Sequence, residues 1–420
     1  MHEAMKTFKA NLMRIAILMF LFALPGLGSS QETYYLIHGR LKDAKTGEKI
    51  IYATISVPGT GIGTVSNADG RFTLKISKAL HAEYFVISHL SYATAKFKIS
   101  EALGKEQTYF LENRPILLKE ISIVPMDPRE IVEKALDNIR RNYSTEPNIM
   151  TGFYREAIKQ RREYISICEA VVDIYKSPYA GYQNDQVRIF KGHKGSNVEP
   201  ADTLMVNLQG GPNVLMMLDI VKDPALTLAF DTLDNYEFKY DEIVSIDEKL
   251  NWVISFWPDD WSDYLLYFGK IYIAAESYAI TRIEFNLDLG DEELASRIFV
   301  QKKPAGLVFV PTYTNYLVNY KEQDGKYYLN YVRVDLKFRC DWEKRLFKNT
   351  YTLMSELAIT DRRVDSVARF PSQEVFRSWM VFTDRIQQYT DADFWGASNI
   401  IEPDNSIQEA IKKIYKTRKD

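Results

Sequence analysis

Apolar and polar residues alternate with the two-residue period of a strand through two regions of the chain, and the regions differ in run length. From Tyr35 to about Leu111 the runs are short ("YYLIHGRL", "YATISVPG", "RFTLKIS", "EYFVISH", "ATAKFKI", "QTYFLE") and are punctuated by Gly, Asn and Asp. Such spacing predicts an antiparallel β-sandwich. From Met150 to about Thr360 the runs are long, as in "EYISICEAVVDIYKS", "FGKIYIAAESYAITRIEF" and "YYLNYVRVDLKFRC", with a hairpin signal "QDGK" at Gln323 to Lys326. These predict a large curved antiparallel sheet, a half-barrel.

The period lengthens to that of a helix in three places. In "MDPREIVEKALDNIRRNY", Asp127 is an N-cap, Pro128 the first helical residue and Glu130 the third of a capping box. Ile131, Ala135, Leu136 and Ile139 then form the apolar stripe of one helix of about four turns. Gly211 to Pro224 is a helical stretch expected against the concave face of the sheet. A last helix begins near Asn405, capped by Asp404 or Asn405, with Ile407, Ala410, Ile411 and Ile414 on one side. The fold class is therefore mainly β, a sandwich followed by a curved sheet of α+β type with a few packing helices. The expected division is residues 1–30 signal peptide, 31–124 sandwich, 125–145 linker helix, 146–365 sheet domain, and 366–420 a C-terminal extension with its helix.

Charge narrows the partners. The 420 residues hold 53 Lys and Arg against 56 Asp and Glu. Lys6, Lys9 and Arg14 precede the apolar run Ile15 to Leu27, and "GLGSS" follows, the layout of a secretory signal cleaved near Ser30. No Cys adjoins that point, which argues against a lipid anchor. The remaining chain carries a net charge of about −5, which excludes a nucleic-acid binder by balance. No second long apolar stretch follows, and the frequent charges exclude an outer-membrane receptor barrel. Export, to the periplasm or the periplasmic face of the outer membrane, allows a disulfide between Cys168 and Cys340, but two buried thiols in strands are the expected state.

Candidate chemistry is sparse. "VPGTGIGTVSNADGRFTL", Val57 to Leu74, lacks both the spacing of a phosphate loop and the downstream Glu of a calcium loop. Asn67 to Gly70 reads as a tight turn, Gly70 taking positive φ and Asp69 bonding the local backbone. "WPDDWSDY" gathers Trp257, Asp259, Asp260, Trp261 and Asp263, which would suit a sugar or a carboxylate pair, or simply a turn between strands. "KGHKGSN", Lys191 to Asn197, reads as a flexible, solvated loop. The histidines show no metal spacing, and no catalytic residue, cofactor or metal site is expected.

"GRLKDAKTGEKIIYATISVPGTGIGTVSNADGRFTL" resembles the carboxypeptidase-regulatory-like domain, a small transthyretin-like sandwich. Gly39, Asp43, Thr46-Gly47, Ala53, Val57, Gly63-Thr64 and Asp69 to Phe72 carry the likeness. Ser91 stands where the family usually has Gly, and "LLKEISIVP" resembles the exit of that domain. The resemblance implies a non-catalytic accessory module of the Gram-negative envelope. "FGKIYIAAESYAITRIEF" is similar to the lipoprotein-carrier-like half-barrels, which would imply a hydrophobic-ligand cleft; periodicity alone favours a well-packed sheet over such a cleft. "DADFWGASNIIEPDNSIQEAIKKIYK" and "TGFYREAIKQRREYISICEAVVDIYKSPY" resemble a group of uncharacterised envelope proteins. The resulting expectation is a non-catalytic binding or scaffold module whose partner is an envelope protein, a lipid or a lipoprotein. The alternative is a carboxypeptidase or glycan hydrolase, with Asp259, Asp260 and Asp263 as first suspects.

Overall fold

The computed structural model describes residues 33–90, 92–113, 126–181, 183–196, 211–222, 233–259, 267–299, 306–342, 349–389 and 396–417. The expected signal, Ser91, "LLKEISIVP" and "DADFW" lie outside them.

The short runs form β1 (Tyr34–Asp43), β2 (Thr54–Ser56), β3 (Gly63–Val65), β4 (Arg71–Ser77), β5 (Tyr84–Ser88), β6 (Ala95–Lys98) and β7 (Gln107–Leu111). They make two sheets, β4-β1-β7 and β3-β2-β5-β6. Alternation in β4 turns Phe72, Leu74 and Ile76 inward, where they meet Ile37, Leu41, Ile55 and Ile87. The rings of Phe72, Phe85 and Tyr109 pack against one another, and Gly39 must lack a side chain because a Cβ there would lie 2.4 Å from Phe72. Each such buried aromatic contributes roughly 1.5–3 kcal/mol.

The turn at Asn67 forms with Gly70 at φ 71°. The local backbone is bonded by Asn67, however, whose Oδ1 accepts from the amides of Asp69 and Arg71, and not by Asp69. Asp69 instead accepts from the distant amide of Asn405 at 2.8 Å, so its expected role is corrected.

The long runs form β8 (Asn148–Gln160), β9 (Glu163–Lys176), β10 (Gln186–Ser196), β11 (Tyr236–Ile246), β12 (Lys249–Pro258), β13 (Tyr267–Ala274), β14 (Ile280–Leu287), β15 (Leu307–Gln323), β16 (Lys326–Trp342) and β17 (Asn349–Arg363). They build one antiparallel sheet in the order β10-β9-β8-β17-β16-β15-β14-β13-β12-β11. β10 and β11 end it, so it is open rather than a closed barrel. Asp324 and Gly325, both at positive φ, make the two-residue turn between β15 and β16.

One face of this sheet is apolar and is covered by the chain itself. Helix α1 (Pro128–Asp137) lays Ile131, Val132, Ala135 and Leu136 on it, and α2 (Pro212–Met217) adds Leu215 and Met216. Phe376, Phe382 and Ile386 close over the same cluster. α1 is shorter than expected: it ends at Asn138, whose side chain bonds the carbonyl of Lys134, and a separate turn runs Ile139–Asn142. Its cap also differs from a capping box. Asp127 accepts from Arg129 N, and Glu130 pairs with Lys134.

The expected loop "KGHKGSN" is mostly strand. Lys191 to Ser196 pair with Val171 to Ser166 of β9, and Gly192 leaves the space into which Ile386 packs. Cys168 and Cys340 are free, buried thiols, and burial pushes each up to about 12. Among the described residues no helix is long and apolar enough to cross a membrane.

Candidate functional site at the sandwich–sheet seam

The second face of the sheet carries charge, and it is the face on which the sandwich sits. Glu169, Arg155, Glu356 and Arg333 stand directly opposite one another on β9, β8, β17 and β16, an alternating row across four neighbouring strands. Arg155, 1% exposed, donates Nε to Glu169 at 2.7 Å and Nη1 to Glu356 at 2.9 Å. Its Nη2 reaches the carbonyl of Ile401 at 2.6 Å. Burial disfavours the guanidinium charge, but the two carboxylates outweigh it and hold Arg155 ionised. Arg333 grips Asp335 through two bonds of 2.7 and 2.8 Å and faces Glu356, which also accepts from Tyr331. Each buried charge thereby has an opposite partner, the condition for tolerating it in the interior.

Residues 396–407 form a strap between sandwich and sheet. Asn399 bonds the amide and carbonyl of Lys75; Thr64 donates to the carbonyl of Ile400, and Asn67 to that of Glu402. The strap runs into helix α4 (Asn405–Thr417; α3 is Glu292–Phe299), where Asp404 caps Ile407 N at 2.9 Å. Ile407, Ala410 and Ile411 then pack on Ala157 and Ile167 of the sheet. From the sandwich side, Tyr52 stacks on Tyr331 with centroids 6.0 Å apart, and the Arg333 guanidinium lies 4.7 Å from its ring. Val65 joins Phe153, Leu317, Ala358, Ile400 and Ile401 in an apolar patch beneath. The glycine-rich stretch is part of this docking surface. A Cβ on Gly61 would fall 2.3 Å from the backbone nitrogen of Arg362, so only glycine allows the loop to rest on β17.

Two roomy cavities open along the seam. One, of about 270 Å³, lies among Tyr52, Lys159, Tyr164, Arg333, Asp335 and Asp404. The other, of about 320 Å³, lies among Tyr34, Lys75, Thr151, Asp361 and Asn399. Both draw walls from the sandwich, the sheet and the strap; of the two, the first includes Arg155, Glu356 and Arg333 of the charged row. Burial pushes the Tyr52 hydroxyl up to about 12, so it stays protonated and can donate as well as accept.

The residues expected to bind a ligand lie elsewhere. Trp257 is on β12, 39% exposed, and Asp259 just beyond it bonds the carbonyl of Asn235 through its amide. Neither lines the two seam cavities, and Asp260, Trp261 and Asp263 fall outside the described residues. Among the described residues no group of three or more His, Cys, Asp or Glu could hold a metal. Alternation alone does not mark the charged row, because a charge at Arg155, Glu169 or Glu356 fits the outward position of a half-buried strand. The available signal was their place inside apolar runs: "TGFYREAI", "SICEAVV" and "LMSELAI".

An open antiparallel sheet with a small sandwich docked on its polar face defines a modular, mainly β protein. Residues 37–123, which include the strands of the sandwich after its first residues, match the family model of the CarboxypepD_reg-like domain. The chain is also similar, at 11% identity and a TM-score of 0.25, to a domain provisionally assigned to outer membrane lipoprotein sorting from Vibrio parahaemolyticus, over 58% of this chain and 95% of that one. A DUF1329 family protein from Desulfovibrio piger is similar over 58% of this chain and 96% of its own, at 9% identity and a TM-score of 0.25. Lipovitellin is similar over 57% of this chain and 27% of its own, at 7% identity and a TM-score of 0.27.

Proposed function

We propose that the protein is an exported, non-catalytic binding module of the cell envelope, and that its ligand is held at the seam. One observation carries the reading: the cavity of about 270 Å³ is walled by three separate parts of the chain, and two of its walls bear charges already neutralised in place. Concave, pre-formed sites between domains are where ligands most often bind. Export rests on the signal-like pattern of residues 1–30, and the envelope setting on the regulatory-like sandwich.

A hydrophobic ligand under α2 is the second reading. Val214 and Met217 of that helix are 40% and 58% exposed beside the buried Leu215 and Met216, so α2 is apolar on both sides. Lys176 opposes it. This buried lysine contacts Asp219 at 2.7 Å and Asp185 at 2.6 Å, fixing the turn after α2 to the sheet, and a lipid would have to displace that anchor.

Native mass spectrometry on the exported protein, purified from its own periplasm, with parallel lipid extraction, tests both. A retained small polar mass supports binding at the seam. A retained acyl lipid transfers the site to α2, and an apoprotein free of both overturns stable small-ligand binding.

A further inference from the structure

The geometry points to a neutral polyhydroxyl ligand, a sugar ring, in the cavity of about 270 Å³ between Tyr52 and Asp404. This inference rests on the seam being the binding site and adds the class of ligand.

Charge balance is the first ground. Arg155, Lys159 and Arg333 line the cavity against Asp335, Glu356 and Asp404, three of each sign. Arg155 and Arg333 are already bonded to Glu169, Glu356 and Asp335, so an incoming anion would have to compete with carboxylates held at 2.7–2.9 Å. A free cation meets Glu356 and Asp335 already paired with Arg155 and Arg333. Lys159 and Asp404 are the remaining charges, one of each sign, so the lining offers neither phosphate nor a divalent metal a wall of a single sign.

The second ground is what remains unsatisfied. The Tyr52 hydroxyl forms no side-chain hydrogen bond among the described residues, and Tyr52 is part of the lining. The Lys159 ammonium rests 4.2 Å from the ring of Tyr164 and donates to no oxygen among them. Asp404 commits Oδ1 to Ser406 and Ile407 N, leaving Oδ2 open. An ammonium donor, a carboxylate acceptor and a hydroxyl that can do both are the set that vicinal hydroxyls satisfy, because each sugar hydroxyl also donates and accepts. Met354 and Ile407 add apolar wall for the C–H face of a ring.

Saturation-transfer NMR on the exported protein is the test, with glucose, galactose, mannose and N-acetylglucosamine as probes, and glycylalanine and inorganic phosphate as zwitterionic and anionic comparisons. The expected result is transfer to at least one sugar and to neither comparison, with affinity falling about tenfold, near 1.4 kcal/mol, in Tyr52→Phe and in Lys159→Met. Asp404→Asn, which keeps a capping side chain, should weaken binding likewise while the melting temperature stays put. Transfer only to glycylalanine or phosphate overturns the sugar class and leaves seam binding intact, provided the same variants weaken it. Sugar binding unaffected by all three variants overturns the cavity as its site. Absence of transfer to every sugar overturns the inference; an apoprotein in native mass spectrometry as well would take down the binding function with it.

Discussion

Asn399 meets Lys75 as a neighbouring strand would: its Oδ1 accepts from the Lys75 amide at 2.6 Å, and its Nδ2 donates to the Lys75 carbonyl at 2.9 Å. One side chain thus extends the edge of the sandwich across a gap of 324 residues in sequence. Asn399→Ala leaves both backbone groups of Lys75 without these partners, and unmade buried bonds cost about 1–3 kcal/mol. Unfolding in urea should show a loss of that order, and hydrogen exchange should quicken in residues 396–407 ahead of the sheet. Unchanged exchange there would mean the strap is held by its other contacts alone.

Gly61 is the position most sensitive to size. Gly61→Ala places a methyl group 2.3 Å from the Arg362 nitrogen and 2.9 Å from its Cα, both backbone, so the sandwich must back away from β17. The expected cost is about 1–3 kcal/mol, with new proteolytic cuts between the two units. A variant as stable and as resistant as the parent would refute the close docking.

Arg155→Met should destabilise by about 3–5 kcal/mol, because it strands a buried carboxylate. The stranded group is Glu169, whose bond to Arg155 is lost; Glu356 retains Tyr331 and Arg333. Arg155→Met with Glu169→Gln should therefore be more stable than the single variant. Equal stability of the two by chemical denaturation would show that Glu169 is not the source of the loss.

Glu156, on the apolar face of β8, has its carboxyl raised to about 7 by burial, against the opposing pull of the Tyr154 hydroxyl and of Lys194. The folded protein keeps this proton where the unfolded chain, near 4.5, releases it. Stability therefore falls as pH rises from about 4.5 to about 7 and stays lowered above, by on the order of 3 kcal/mol. Glu156→Gln should be more stable than the parent at about pH 8 and should lose that advantage at about pH 4. Parallel unfolding curves at the two pH values would contradict the shift.

The architecture was legible wherever a pattern is local. Alternation in "RFTLKIS" fixes which side of β4 is inner, and "QDGK" fixes a hairpin, because each depends on neighbours in sequence. The seam was not legible. Arg155, Glu356 and Ile401 meet only when β8, β17 and the strap are assembled, and Asp69 finds Asn405 across 336 residues. A charge in a strand reads as facing water until another layer is known to cover it. The turn chemistry of "NADG" was read correctly in kind and assigned to the wrong side chain, since Asn67 and Asp69 have equal local claims. "WPDDWSDY" is conspicuous by its residue types, whereas Tyr52, Lys159 and Asp404, scattered along the chain, carry no such mark.

The strap also fixes an order of events in folding. Its bonds to the sandwich, from Thr64 to Ile400 and from Asp69 to Asn405, each span 336 residues, among the most distant pairings in the molecule. Closing so long a loop adds little to the equilibrium cost but delays the contact, since every intervening strand must first find its register. The sandwich can assemble its sheets from nearby segments, whereas its bonds to the strap can form only once the chain as far as Asn405 is available. Until then Arg155 lacks the carbonyl of Ile401, and Val65 lacks Ile400 and Ile401, so the last stretch of the chain seals a seam that the earlier elements can only bring together.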